Sequence, residues 1–239
     1  MTETQCNTPF SVLPECKSTP SASSRLVYER AFWHEHPQSK LAGIDEAGRG
    51  CLAGPVIAGA VQINPSIIDQ LAKNVLSSVN DSKQLSPSKR ETLFQIITTH
   101  PNIRWAFGQA SVEEIDQLNI LHATHLAMRR ALEALPVLPE HVFVDGLPVK
   151  GLPIPHTAIV KGDAKSLLIA CASIIAKVTR DHLCLQLDKR YPNYGFAQHK
   201  GYGTPAHLKA LRAFGPCSEH RHSFAPVAFI QEELSFPSS

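Results

Sequence analysis

The stretch KLAGIDEAGRGCLAGPVIAGAVQI, residues 40–63, decides the fold. Its two ends, residues 40–46 and 55–63, are short apolar runs with β-branched side chains, a composition typical of strands. A glycine-rich turn separates them, so we expect two paired strands. Asp45 and Glu46 lie where the first strand ends, shortly before Gly48-Arg49-Gly50. This arrangement fits a phosphate-binding loop, a turn or a metal site.

A phosphate-binding loop is excluded by what surrounds the glycines. Gly43, Gly48 and Arg49 come close to the pattern G-x-x-x-x-G-K-[ST]. That loop needs a lysine and a helix that begins directly after it, because the helix N-terminus holds the anion. Here a strand-like sequence follows, and the carboxylates of Asp45 and Glu46 would repel phosphate oxygens. A turn or a metal site remains.

Three further strands and four helices are predicted along the chain. The strands are short β-branched or alternating runs at residues 103–110, 141–146 and 156–160. The helices are indicated by capping residues and apolar periodicity, and they begin at Ser86-Pro87, Ser111, residue 164 and Thr204-Pro205. Strands first, followed by alternating helices and strands, indicate an α/β protein with a mixed sheet covered on its faces.

The helix that begins at Ser111 has the strongest signal. Ser111 and Glu114 form a capping box. Apolar residues, including Leu118 and Leu121, then recur at three- and four-residue steps as far as Leu135, so this stripe is expected to face the core. The helix predicted over residues 164–187 has a slim face of small residues, which predicts close packing. These residues are Ala170, Ala172, Ser173 and Ala176.

Composition predicts one domain with a short tail at each end. Residues 1–24 contain twelve Ser, Thr or Pro and are expected to be disordered. Residues 25–231 then form a single domain, and 232–239 a short tail. Six cysteines without a C-x-x-C pair favour reduced thiols and a cytoplasmic location. No apolar run approaches the roughly 18 to 20 residues that span a bilayer, so we expect no membrane contact. A monomer is expected as well.

The charge is unevenly distributed. The whole chain has a formal net charge of +2, whereas residues 161–222 carry ten Lys or Arg against four Asp or Glu, a local charge of +6. A basic segment of this kind can face nucleic acid. A solvated surface also explains this excess of charge, and on charge alone that explanation is preferred to nucleic-acid contact.

Four acids are predicted to lie where strands end. They are Asp45, Glu46, Asp145 and Asp163. Open α/β sheets bind ligands at such an edge, and Mg²⁺ takes several oxygen ligands. Each acid alone could be a turn former or a helix cap, but the four together favour a metal site.

Two features of the sequence leave the convergence of these acids open. Adjacent residues of a strand point to opposite faces, so Asp45 and Glu46 share a site only if the chain bends at Ala47-Gly48. The connection at residues 146–155 is also short for a crossover between parallel strands.

Five segments resemble the successive signature blocks of the bacterial ribonuclease HII family, in the family's order. They are GIDEAGRGCLAGPVIAGAV (43–61), NDSKQLS (80–86), FVDG (143–146), KGDAKSLLIACASIIAKVTRD (161–181) and HKGYGTPAH (199–207). The resemblance implies the ribonuclease H-like fold, a five-stranded mixed sheet flanked by helices, with residues 25–231 as the catalytic domain. It also implies an endonuclease that uses Mg²⁺ or Mn²⁺ to cut RNA–DNA hybrids and duplex DNA containing embedded ribonucleotides.

The resemblance assigns roles to the residues at the first turn. The family's four catalytic, metal-binding acids fall on Asp45, Glu46, Asp145 and Asp163. Its glycine–arginine–glycine element falls on Gly48, Arg49 and Gly50, and in the family the backbone there approaches the ribose 2′-hydroxyl. That hydroxyl distinguishes RNA from DNA, and glycine permits the close contact.

Three more residues match the family blocks. Tyr202 matches the tyrosine that packs on the sugar at an RNA-to-DNA junction, and Lys83 matches a phosphate contact. Asp181 also recurs in the family, and because it lies deep in a predicted helix we expect it to pair with Arg180 or Lys177.

Metal-assisted hydrolysis is the hypothesis that follows. One ion bound by Asp45 and Asp163 would activate water, and a second bound by Asp45, Glu46 and Asp145 would stabilise the departing 3′-oxygen. The alternatives are a ribonuclease HIII-like activity, against which Arg49 and the short tail argue, and a non-catalytic hybrid-binding module. The C-terminal QEELSFPSS contains no recognisable clamp-binding peptide, so contact with a replication clamp is an open question.

Overall fold

The computed structural model describes residues 22–80 and 82–235, which contain a five-stranded sheet. The strands are β1 (Leu41–Ala47), β2 (Val56–Ile63), β3 (Ile103–Ala110), β4 (His141–Asp145) and β5 (His156–Ile159). Their order across the sheet is β3-β2-β1-β4-β5. The strand pairs β1–β2 and β2–β3 are antiparallel, whereas β1–β4 and β4–β5 are parallel. The predicted mixed sheet and its five strands are confirmed.

Helices cover both faces of this sheet. The α-helices are α1 (Val27–Glu35), α2 (Pro65–Lys73), α3 (Pro87–Thr99), α4 (Val112–Glu133), α5 (Leu167–Arg190), α6 (Phe196–His199), α7 (Pro205–Phe214) and α8 (Ala225–Ser235), and 3-10 helices span Ala22–Leu26 and Gly162–Ala164. Helix α5 packs on β1 and β2 from one side, and α4 packs on β2 and β3 from the other. The four predicted helices are α3, α4, α5 and α7, and each has a Ser or Thr side-chain cap. The predicted start at residue 164 is three residues early, since residue 164 belongs to a 3-10 turn.

Strand glycines allow α5 to lie against the sheet backbone. A Cβ atom built on Gly43 would lie 2.3 Å from the carbonyl carbon of Leu168, and one built on Gly59 would lie 2.4 Å from the oxygen of Ala172. No side chain fits in such a gap. The small residues that predicted a slim helix therefore do face the sheet, and they bring α5 close to the end of β1 where Asp45 lies.

The prediction that the apolar stripe along α4 faces the core is wrong at Leu118 and Leu121. Asn119 has a φ of 67° and a ψ of 164°, which interrupts the helix. Its side-chain oxygen accepts hydrogen bonds from the N–H groups of Leu121 (3.0 Å) and His122 (3.2 Å), as an N-cap does. Leu118 and Leu121 are consequently 41% and 46% exposed. The periodicity failed because it assumes an unbroken helix.

The short connection between β4 and β5 does join parallel strands. Residues 146–155 contain no helix, and Val149 and Ile154 from this segment are buried in the apolar cluster beneath α4. The connection therefore covers the sheet itself. Because β1, β4 and β5 run parallel, their carboxyl ends lie at one edge.

The predicted tails lie mostly outside the described residues, which exclude 1–21 and 236–239. The 3-10 helix at Ala22–Leu26 begins before the predicted boundary at residue 25, and α8 continues past the predicted boundary at 231. Within the described residues, no helix combines the length and the apolar character needed to cross a bilayer.

Candidate active site

Three of the four predicted acids converge at the shared strand edge. Asp45 lies near the end of β1, Asp145 ends β4, and Asp163 lies in the 3-10 turn after β5. One carboxylate oxygen from each lies within 4.8 Å of the other two. Asp45 and Asp163 are buried, with 6% and 7% exposure. The cluster therefore presents three oxygen donors to one small volume.

Backbone hydrogen bonds fix two of these carboxylates. Asp145 Oδ1 accepts from the N–H of Gly162 at 2.6 Å, which ties β4 to the turn that carries Asp163. A Cβ atom on Gly162 would lie 2.6 Å from Ile169 Cδ1, so a larger residue at this point would require the Ile169 side chain to shift. Asp45 Oδ1 accepts from the N–H of Glu46 at 2.7 Å. The acids are thus held in place by the fold.

Burial and mutual repulsion disfavour the charged forms of these acids. Burial raises the pKa of Asp45 well above its usual value, the charges of Glu46 and Asp145 raise it further, and the Ser173 hydroxyl opposes the rise. Burial likewise raises the pKa of Glu46, against the opposing effect of Arg49. A bound cation would relieve this repulsion, because it compensates the carboxylates directly.

Glu46 lies beside the three-carboxylate cluster. Its Oε1 accepts from Arg49 Nη1 at 3.2 Å, and the ion pair spans the turn after β1. The turn that the sequence required is present at Gly48, which has a φ of +96°. Glu46 and Asp45 consequently line the same groove despite being adjacent in a strand.

This groove of about 200 Å³ brings Asp45 together with every predicted substrate contact. Its lining residues are Asp45, Glu46, Ala47, Gly48, Arg49, Gly50, Ser82, Lys83, Ser173, Lys177 and Tyr202. Sequence reasoning missed the contribution of α5: Ser173, whose hydroxyl lies 2.8 Å from that of Ser82, and Lys177, whose Nζ lies 5.9 Å from the Tyr202 ring centre. Polar residues four apart in an otherwise apolar helix were the available signal.

The backbone after β1 rests on two buried arginines. We call residues 48–54 the glycine loop. A Cβ atom on Gly48 would lie 2.1 Å from Arg180 Nε, so this position admits no side chain. Arg180 donates to the carbonyls of Ala53 (2.9 Å) and Lys200 (2.7 Å), and Arg221 donates to the carbonyls of other loop residues. The sequence analysis did not predict that either arginine lies against the glycine loop.

A network of buried histidines supports Tyr202 from behind. His207 Nδ1 donates to the carbonyl of Tyr202 at 2.9 Å, so its Nε2 accepts from His220 Nε2 at 3.0 Å. His220 Nδ1 in turn accepts from the N–H of Cys217 at 3.0 Å. Burial lowers the pKa of His207 and of His220 to about 4, so both rings are neutral at pH 7. The Tyr202 side chain remains 45% exposed at the groove.

Asp181 pairs with one of its two expected partners. Lys177 Nζ lies 2.8 Å from its Oδ1, and Arg90 Nη2 lies 3.9 Å from its Oδ2. The expected alternative, Arg180, is wrong as a partner because its guanidinium turns inward to backbone carbonyls. Asp181 thereby orients the lysine that lies over Tyr202.

Comparison with known proteins identifies the family. The family model for ribonuclease HII matches residues 42–227. Ribonuclease HII of Verminephrobacter eiseniae is 52% identical over 206 residues, which cover 86% of this chain and 94% of that protein. Ribonuclease HII of Chlamydia caviae is 48% identical over 204 residues, covering 85% and 92%. The crystal structure of ribonuclease H2 from Pyrococcus horikoshii is 29% identical with a TM-score of 0.70, covering 82% of this chain and 99% of that one.

The matched range contains the acidic cluster and the whole groove. The match is to the ribonuclease HII family model, and the relatives at about half identity have the same name. Fold, site and relatives agree that this chain belongs to the ribonuclease HII family and is a ribonuclease H endonuclease, of a family that acts on RNA–DNA hybrids.

Proposed function

We propose that this enzyme hydrolyses the phosphodiester bond on the 5′ side of a ribonucleotide, both in RNA–DNA hybrids and in duplex DNA with an embedded ribonucleotide. The products would carry a 3′-hydroxyl and a 5′-phosphate. The observation that carries the proposal is the convergence of Asp45, Asp145 and Asp163 within 4.8 Å, beside a groove lined by the glycine loop and Tyr202. The acid cluster and the groove share Asp45.

The donor set fits hard divalent ions. The cluster offers carboxylate oxygens, which are the ligands of Mg²⁺ and Mn²⁺. Asp45 and Asp163 would hold one ion, while Asp45, Asp145 and Glu46 would hold a second. Such ions supply the positive charge that activates an attacking water and stabilises a departing oxygen.

The remaining groove residues would recognise the nucleic acid. The backbone of Gly48, Arg49 and Gly50 would contact the ribose 2′-hydroxyl, and the half-exposed Tyr202 ring would pack on the adjacent sugar. Lys83 and Arg49 would contact phosphates. Because phosphate contacts supply much of such binding, affinity should fall steeply with salt.

Asp145→Asn tests the proposal with little risk to the fold. The amide oxygen of asparagine can still accept the hydrogen bond from Gly162, whereas the negative charge is lost. A labelled duplex with one ribonucleotide is incubated with Mg²⁺, with Mn²⁺ or with chelator. We expect the wild type to nick it only with metal, and the variant to be at least about a hundredfold slower.

A matched control separates the site from general charge effects. Asp69→Asn removes an exposed acid of α2 that pairs with Arg30 of α1, and neither residue lines the groove. The nicking rate of this variant should equal that of the wild type. Equal rates for Asp145→Asn and wild type would exclude Asp145 from the mechanism. Nicking that persists in chelator would refute the metal-dependent proposal, and cuts on the 3′ side of the ribonucleotide would refute the assigned bond.

A further inference from the structure

Arg221 is completely buried, and its guanidinium binds both ends of the glycine loop. Nη2 donates to the carbonyl of Gly48 at 2.7 Å, and Nη1 donates to that of Arg49 at 2.9 Å. Nε and Nη2 also donate to the carbonyl of Gly54, at 3.0 and 2.8 Å. One side chain therefore fixes three peptide groups, two of them at consecutive positions.

These bonds dictate where the following N–H groups point. In a planar trans peptide the C=O and the next N–H are antiparallel. Since the carbonyls of Gly48 and Arg49 point to Arg221, the N–H groups of Arg49 and Gly50 point away from it. Within the described residues, neither N–H has a hydrogen-bond acceptor. Both residues line the groove that contains Asp45.

The surroundings of Arg221 show that its bonds to carbonyls are its main compensation. In the described part of the chain, no carboxylate lies within 4.0 Å of Arg221 or of its neighbour Arg180. A buried cation without a carboxylate partner is costly. An arginine holds five donors in a rigid planar fork, whereas a lysine has three donors on one nitrogen, so lysine cannot reproduce this set of bonds with the same geometry.

We infer that Arg221 is the positioning residue for ribose recognition: it holds the peptides after Gly48 and Arg49 so that two consecutive N–H groups face the 2′-hydroxyl of the substrate. This inference rests on the proposed function of the glycine loop. Arg221 itself is sealed from the groove and touches no substrate, so it acts through the backbone alone.

The test measures how much the 2′-hydroxyl contributes to binding. Two duplexes that differ only in one ribose or deoxyribose sugar are titrated with protein in the Asp145→Asn background, so that the substrate stays intact. The wild-type loop should bind the ribose duplex more tightly than the all-DNA duplex. Arg221→Lys should reduce this ratio of affinities by about tenfold, which is the upper end of what one lost hydrogen bond contributes. The affinity for the all-DNA duplex should change less than about threefold.

Arg25→Lys is the matched control. Arg25 is equally buried, but it donates to the carbonyls of Val79 and Ala164, away from the glycine loop. It should lose stability as Arg221→Lys does and keep the wild-type ratio. A ratio unchanged in Arg221→Lys, or lowered equally in both variants, would overturn the inference. A wild-type loop without preference for ribose would instead refute the recognition role in the proposed function.

Amide NMR of the unsubstituted loop keeps the inference testable if Arg221→Lys does not fold. The N–H resonances of Arg49 and Gly50 should shift more with the ribose duplex than with the all-DNA duplex. Ribose-dependent shifts confined to other amides of the loop would overturn the inference, whereas shifts that are identical with both duplexes would refute the recognition role in the proposed function.

Discussion

Replacement of Glu29 by glutamine should stabilise the protein at alkaline pH. Glu29 lies on α1, is completely buried, and caps α5: its Oε1 accepts from the Ser166 hydroxyl at 2.6 Å and from the N–H of Leu168 at 3.1 Å. Oε2 has no hydrogen-bond partner among the described residues. Burial raises the pKa of Glu29 from 4.5 to about 7, against the opposing hydrogen bonds.

The sign and size of the effect follow from linkage. The folded state binds the proton of Glu29 more tightly than the unfolded state, so the stabilisation is complete below pH 4.5 and is lost as the pH rises through 7. The gap between these two pKa values corresponds to about 3 kcal/mol. Glutamine is neutral throughout and retains an oxygen for Ser166 and Leu168. Between pH 5 and pH 8, the free energy of unfolding of Glu29→Gln relative to wild type should therefore rise by about 2 to 3 kcal/mol.

Urea unfolding of both proteins at pH 5 and pH 8, at fixed ionic strength, measures this difference. At pH 8 the variant should also melt roughly 5 to 10 °C above the wild type. Glu35→Gln, an exposed residue of the same helix, is the control and should show no pH-dependent difference. A stability difference between Glu29→Gln and wild type that is the same at both pH values would refute the reasoning.

Three further perturbations test packing, capping and the histidine network. Gly59→Ala should lower the melting temperature by several degrees, because its Cβ would overlap the facing α5 carbonyl at 2.4 Å, and an equal loss in Gly50→Ala, which has open space around it, would contradict this. Ser111→Ala should cost about 1 kcal/mol in urea unfolding through loss of the capping box, and an unchanged midpoint would show that the cap contributes nothing. The pKa values of His207 and His220 are about 4 in the folded protein, so the free energy of unfolding should fall as the pH falls from 6.5 towards 4, because only the unfolded chain takes up protons. His220→Gln should reduce this pH dependence in urea unfolding. An identical pH dependence in the variant and the wild type would refute the assignment.

The sheet could be predicted from the sequence because each strand has a local sequence signal. All five strands are β-branched or alternating runs bounded by turn residues, and capping residues mark the four predicted helices. The break at Asn119 could not be predicted in this way. It depends on one residue with a positive φ, whose side chain begins a new helix segment, and the apolar spacing around it is unaffected.

The acidic cluster could be placed on one edge of the sheet, but its geometry could not. The sequence predicts that Asp45 and Asp145 lie at strand ends and that Asp163 lies just beyond one, and strand ends are where such sites form. Whether the strands are parallel neighbours depends on the course of residues 146–155, which cross over without a helix. Glu46 shows the same limit, since its pairing with Arg49 depends on the turn at Gly48.

The buried arginines change what the charge of the chain means for nucleic-acid binding. Residues 161–222 carry an excess of six positive charges, but Arg180 and Arg221 are 1% and 0% exposed and bind backbone carbonyls. Neither can reach a phosphate, and Asp163 in the same segment is also buried, so the excess available at the surface falls to five. Each phosphate contact steepens the salt dependence of binding by roughly one unit of slope. The salt dependence measured for a duplex substrate should therefore be shallower than the sequence charge suggests, because part of that charge shapes the glycine loop.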